Sequence, residues 1–277
     1  MQYLDLFPET TTVQFDSVTD MANFITESRR KKNWRILRHD ANDWNNNCDF
    51  DKAYDQMVFG YKDFSQEMVD DLNDFTDSEV LDRGGLSMDV EGSAYDMGAV
   101  LSGIPECCIS DTSIEEKKHL RLVVSVGFSA GVDSKYILNR GVAIANLAGT
   151  LMMKGYVVDL DFLMQYNSYG HGKSVFFVRV PASNLCASTI SFFASPQFLR
   201  KICIGVSDFI LDRDINGNAT GFKSSEVLSW CRKNSLYFDD GYDIDDNDQI
   251  EEMYRTPDIA RKSVLEQYNN WLKSKNC

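Results

Sequence analysis

The spacing of apolar residues changes character along the chain and sorts it into regions. After a weakly alternating start, the stretch from Phe15 to Ile25 sets Asp16 or Ser17 as a cap ahead of apolar residues at helical spacing, which predicts a first helix. Asp49 to Phe59 and Phe64 to Phe75 repeat the amphipathic pattern, and Gly60 breaks them into two helices. From Arg83 to Pro105 the period is lost among Gly84, Gly85, Gly92, Gly98 and Gly103, so this stretch reads as an irregular connection laid over the core.

Near Leu120 the period shortens. The β-branched run from Leu120 to Val126 predicts a strand, Gly127 to Gly131 a turn, Lys135 to Met153 a helix stopped at Gly155, and Tyr156 to Leu160 a second strand. Such a unit closes with its strands parallel and its crossover right-handed. A third strand at Ser174 to Val180, helices near Asn184 to Phe193 and Gln197 to Lys201, and a fourth strand at Ile202 to Val206 continue the alternation. An acidic stretch, Asp239 to Glu252, precedes a helix that Pro257 opens and that runs to about Lys275. The expectation is one domain over 1–277 with an α/β fold. Its mostly parallel sheet core occupies 120–209, a helical and irregular N-terminal region covers 13–119, and the acidic segment 239–252 and the helix 257–275 close the chain. There is no internal repeat.

Composition narrows the function. An apolar content of 43% with 12% aromatic residues suffices for a large buried core. No window reaches the roughly 18 to 20 uncharged apolar residues of a membrane span. Met1 to Glu9 has neither the basic nor the apolar region of a signal peptide, and a cytoplasmic protein is expected. The seven cysteines contain no C-x-x-C pair and read as reduced thiols, so neither metal nor cofactor is expected. Lys and Arg number 28 against 42 Asp and Glu, and the resulting net charge of −14 opposes broad attraction to a polyanion. A nucleic-acid ligand therefore requires the cations to be concentrated where it lies.

Several motifs invite a sharper reading. Gly127-Phe-Ser129-Ala-Gly131 matches G-x-S-x-G between a predicted strand and helix, the setting of a hydrolase nucleophile. A triad would need His171 as base, with Asp159 or Asp161 as acid, and no oxyanion loop precedes the serine. Small residues followed by Asp133 or Ser134 as a cap are also what any strand-to-helix turn needs. Gly170 to Ser174 echoes a phosphate loop, but Asn167 stands where its first glycine belongs and a strand follows in place of a helix. Asp212 to Gly217 fits half a calcium loop, yet Lys223 occupies the closing position. These read as turns.

The feature most informative for function is the run of Arg29, Arg30, Lys31, Lys32, Arg35 and Arg38, with Trp34 inside it and no acid. Cations that follow a backbone beside an aromatic that stacks on bases are the ingredients of single-strand binding. The same cations also suit a solvated helix end, where they complement the macrodipole, and both readings stand at this point. Lys117, Lys118 and Arg121, and further on Arg200 and Lys201, are candidates to extend the track.

A resemblance adds a context. Val13 to Ser17, Asp89 to Gly92, Gly103 to Cys107, Arg140 to Ala148, Lys154 to Val158 and Ala194 to Lys201 together resemble a poorly characterised family of tailed-phage proteins. In size, acidity and basic N-terminal cluster the chain is also similar to the Drc-like single-stranded-DNA-binding cofactors of a phage-encoded heterodimeric RNA polymerase. That resemblance implies a fold unlike the OB type, a partner in the phage-encoded RNA polymerase, recruitment of it to melted promoters in the host cytoplasm, and no enzymatic step. It supplies no contact residues. The expectation is a binding protein for single-stranded DNA, with self-association compatible. A serine hydrolase and a protein-interaction module without nucleic-acid affinity are the alternatives.

Overall fold

The computed structural model describes residues 1–31, 49–59, 86–89, 94–95, 108–111, 119–128, 132–168, 172–180, 189, 192–193, 195, 197–211, 219–221, 224–238 and 247–275. The chain opens with a hairpin, β1 (Gln2–Leu4) and β2 (Thr10–Phe15), followed by α1 (Val18–Lys31) and α2 (Phe50–Phe59). Three short strands, β3 (Leu86–Asp89), β4 (Ala94–Tyr95) and β5 (Cys108–Asp111), pair antiparallel in a small separate sheet. Then come β6 (His119–Ser125), the long α3 (Ser134–Met153), and the pair β7 (Val157–Ser168) and β8 (Gly172–Val180).

The remainder is mostly helical. One turn of π-helix (Phe198–Cys203) runs straight into α4 (Ile204–Ile210), and β9 (Ala219–Gly221), α5 (Ser225–Asn234) and β10 (Leu236–Phe238) follow. The chain closes with α6 (Asn247–Met253) and α7 (Pro257–Lys275).

The main sheet runs in the order β1-β2-β8-β7-β6-β10, with β9 attached to the far end of β7. Crossing through α3, β6 and β7 pair in parallel as the strand, helix, strand pattern requires. Between them, α3 begins on Asp133, whose carboxylate accepts from the Lys135 amide. It ends on Gly155, at φ +86°, where the Gly155 and Tyr156 amides return to the Met152 and Leu151 carbonyls. Only a residue free to take positive φ closes a helix this way.

The fold is the expected α/β one, with the helices at both ends of the chain in place, and its sheet is mixed. β7 and β8 form an antiparallel hairpin, whereas β2 and β10 pair in parallel with β8 and β6. The N-terminal stretch, read as helical and irregular, thus contributes a strand to the main sheet, and β10 extends that sheet beyond the expected 120–209 core. A second correction concerns Ile202 to Val206, read as a strand. It is helical, and because it is buried throughout except at Ile204 its apolar run carries no period to separate strand from helix. The expected helix Phe64 to Phe75, the connection Arg83 to Pro105 and the helix Asn184 to Phe193 fall wholly or largely outside the described residues, as does the first half of the acidic stretch. Its second half is α6.

Alternation along the strands sends side chains to two unequal layers. Val13, Phe15, Leu122, Val124, Leu160, Phe162, Phe176 and Val178 join the larger core, which α1, α2, α3, α4 and α7 cover. Val123, Leu163, Val175 and Phe177 face the other way and meet Val227 and Cys231 of α5. Among the described residues, no helix is long and apolar enough to cross a membrane.

Candidate nucleic-acid interface

The basic run starts inside α1, and the structure divides its first members by what they touch. Arg29 reaches back to α2, donating from Nη2 to Asp51 Oδ1 at 2.7 Å with its guanidinium 5.1 Å from the Phe50 ring centre. A hydrogen bond between the Thr26 and Tyr54 hydroxyls, at 3.0 Å, ties the same two helices one turn earlier. Arg29 is therefore part of the α1–α2 contact, while Arg30 is exposed and Lys31 is the last described residue of α1. Lys32, Trp34, Arg35 and Arg38 lie outside the described residues, as do Lys117 and Lys118.

Arg121 has a different role. It stands on β6 toward the smaller layer, where its register partner is Asp159 and its ion-pair partner is Asp161 of β7. Asp161 is fully buried and is held from the other side by Arg179 of β8, whose Nε donates to Oδ1 at 2.9 Å. That hydrogen bond, helped by the charges of Asp161, Asp159 and Asp16, raises the Arg179 pKa against the opposing effect of burial. The Arg121 guanidinium also sits 4.9 Å from the Trp230 ring and 5.7 Å from Phe177, so it bridges sheet and α5. A side chain so committed serves the fold, and Arg121 is withdrawn from the expected track. Lys201 is withdrawn as well, because at 4% exposure it is buried in the π-helical turn.

The elements still have a spatial logic. α2 contacts both α1 and the π-helical turn, so the end of α1 and the turn that carries Arg200 flank one helix on the larger layer. Arg121 belongs to the opposite layer.

The turn after β6 does lie between a strand and a helix, as the G-x-S-x-G reading needs, although Ser129 and His171 are outside the described residues. Of the two acids considered for a triad, Asp161 is already bound by two guanidiniums. Below the turn, Arg140 of α3 donates to the Ser125 carbonyl at 3.0 Å and the Phe238 carbonyl at 2.9 Å, and its guanidinium is 5.0 Å from the Phe128 ring. This 2%-exposed cation satisfies carbonyls at the C-terminal ends of β6 and β10. Such ends are where parallel α/β sheets often bind ligands. Sequence reasoning passed over Arg140 as a helix residue, since only the pairing of β10 with β6 reveals what it reaches.

Fold and site together define an α/β protein with a mixed sheet, a basic stretch of α1 on its larger layer and a buried Asp161 held by two arginines on its smaller one. The chain belongs to the family described as Domain of unknown function (DUF7192), which matches residues 5–266. No curated protein and no solved structure matches it.

Proposed function

We propose that this chain is a non-enzymatic single-stranded-DNA-binding protein whose anchor is the end of α1. The observation that carries the reading is the helix itself, which carries Arg29, Arg30 and Lys31, next in the sequence to Lys32, Trp34, Arg35 and Arg38. Arg29 holds α1 on α2, Arg30 is exposed, and the other cations follow next in the sequence. Phosphates pair with such cations, and a base stacked on Trp34 adds about 1 to 3 kcal/mol in a sequence-tolerant way. The sequence resemblance supports a role as cofactor that brings a phage-encoded RNA polymerase to melted DNA.

Fluorescence anisotropy of labelled single-stranded and duplex DNA at several salt concentrations tests the reading. Single strands bind more tightly, and replacing Arg30, Lys31 and Lys32 by Ala weakens binding and flattens the logarithmic salt slope by about 2. An unchanged slope removes the α1 end from the site, and a wild-type chain that binds neither DNA ends the proposal.

A further inference from the structure

Three helices, α3 and α7 on the larger layer and α5 on the smaller one, send their C-terminal ends to one end of the sheet. α7 packs along α3 in the same direction: Asn139, near the start of α3, donates to the Tyr254 carbonyl just ahead of α7 at 2.9 Å. At the other end, Tyr268 of α7 lies within electrostatic reach of Tyr156, which follows α3. α5 comes from the opposite layer and joins them around the β10 edge, where the Lys275 ammonium donates to the Lys233 carbonyl at 3.0 Å.

This convergence concentrates positive charge. The last turns of α5 and α7 carry Arg232, Lys233, Lys273 and Lys275, all exposed, and the exposed Lys154 caps α3. His119, also exposed, opens β6 at the same end, since β6 runs parallel to β10 from the side on which α5 finishes. Aromatic surface lies among these cations: Tyr268 and Trp271 are half-buried and stacked at 6.4 Å with 22° between their planes, and the Lys275 ammonium is 5.9 Å from the Trp271 ring. Among the described residues, the buried Trp271 Nε1 meets no hydrogen-bond partner. A cation on a helix C-terminus complements its dipole, which accounts for each residue singly. The dipole does not account for three helices bringing their cations together around an aromatic stack in a chain of net charge −14.

We infer that this end of the molecule, built from the closing turns of α5 and α7 and the cap of α3, is a second contact surface for the phosphate backbone of single-stranded nucleic acid. It rests on the proposed function in sharing its ligand, and differs in place and residues. Cations beside an aromatic stack favour a strand whose phosphates and bases both find partners. A ligand held here and at the end of α1 gains from being bound twice.

The test compares the full chain, the α1 variant with Arg30, Lys31 and Lys32 changed to Ala, and a variant with Arg232→Ala, Lys233→Ala, Lys273→Ala and Lys275→Ala. Each is titrated against labelled oligo-dT and against labelled polyglutamate, with circular dichroism melting to confirm an intact fold. The inference expects the four-residue variant to bind oligo-dT on the order of tenfold more weakly at low salt, with a salt slope shallower by about 3. That loss with no effect of the α1 variant supports the second surface and overturns the α1 reading. Loss in the α1 variant alone does the reverse, and loss in both supports both. Oligo-dT binding that neither variant weakens, or no binding by the full chain, overturns both. Loss confined to polyglutamate overturns the nucleic-acid assignment and makes the surface one for an acidic protein segment.

Discussion

At the scale of single residues, the strongest commitments lie on the smaller layer. Asp161 is a fully buried carboxylate, and Arg121 and Arg179 donate to it from either side. Removing the acid leaves two guanidiniums facing each other across a cavity, though both keep a partial path to solvent. Asp161→Ala is therefore expected to cost about 3 kcal/mol, the low end for a broken buried pair. Urea denaturation checks this, and a loss below about 1 kcal/mol would show the cluster to be dispensable. Close by, burial pushes the Cys231 thiol up to about 12, with Asp161 adding to the rise and Arg121 and Arg232 opposing it. Burial also raises the Cys203 thiol well above its usual value. Since the folded state holds these protons more tightly than the unfolded chain, whose thiols titrate near about 8.5, the contribution to stability is whole below that pH. It is lost as pH rises through the window toward about 12. Neither thiol should react with a disulfide reagent at mildly alkaline pH until the protein unfolds, and fast labelling of Cys203 or Cys231 in the native state would contradict this burial.

At the scale of elements, helix ends do much of the organising. Asp133 caps α3 at the strand-to-helix turn, and the Gly155 motif closes its other end, so α3 presents a fixed length between β6 and β7. Asp133→Ala should lower stability by about 1 kcal/mol in thermal or urea unfolding, whereas Asp133→Asn, which keeps an acceptor, should lose much less. Equal losses would mean that charge and not capping matters there. α3 and α7 were legible because their apolar residues recur at helical spacing and because Asp133, Gly155 and Pro257 mark their ends. Ile202 to Val206 was not, since packing buries it on nearly all sides and the pattern that separates helix from strand requires a wet face.

At the scale of the whole molecule, the proposed polyanion ligand has to be reconciled with a chain of net charge −14. Charge is partly segregated: α5 carries Arg232 and Lys233 in its last turn and Glu226 in its first, and the last turn of α7 carries Lys273 and Lys275, while Asp258, Arg261 and Lys262 stand near its start. That partition sets a local field opposite in sign to the net charge, and such fields act over about a Debye length, roughly 8 to 10 Å at physiological salt. The steep salt dependence expected of oligo-dT binding belongs to this scale, because it would count phosphates neutralised across both proposed surfaces.

The sequence by itself determined what depends on near neighbours: the α/β class, α1, α2, α3 and α7, the parallel β6–β7 pair, and the basic run that begins at Arg29. Periodicity, caps and glycine stops act over a few residues, so they can be read in order. Only the tertiary structure decided that β2 lies against β8, that β10 lies against β6, that Arg121 spends its charge on Asp161, and that Lys275 meets Lys233. Those contacts join residues tens to more than a hundred positions apart. Their partners are chosen by the burial of whole faces, a property of the assembled layers that no local pattern carries.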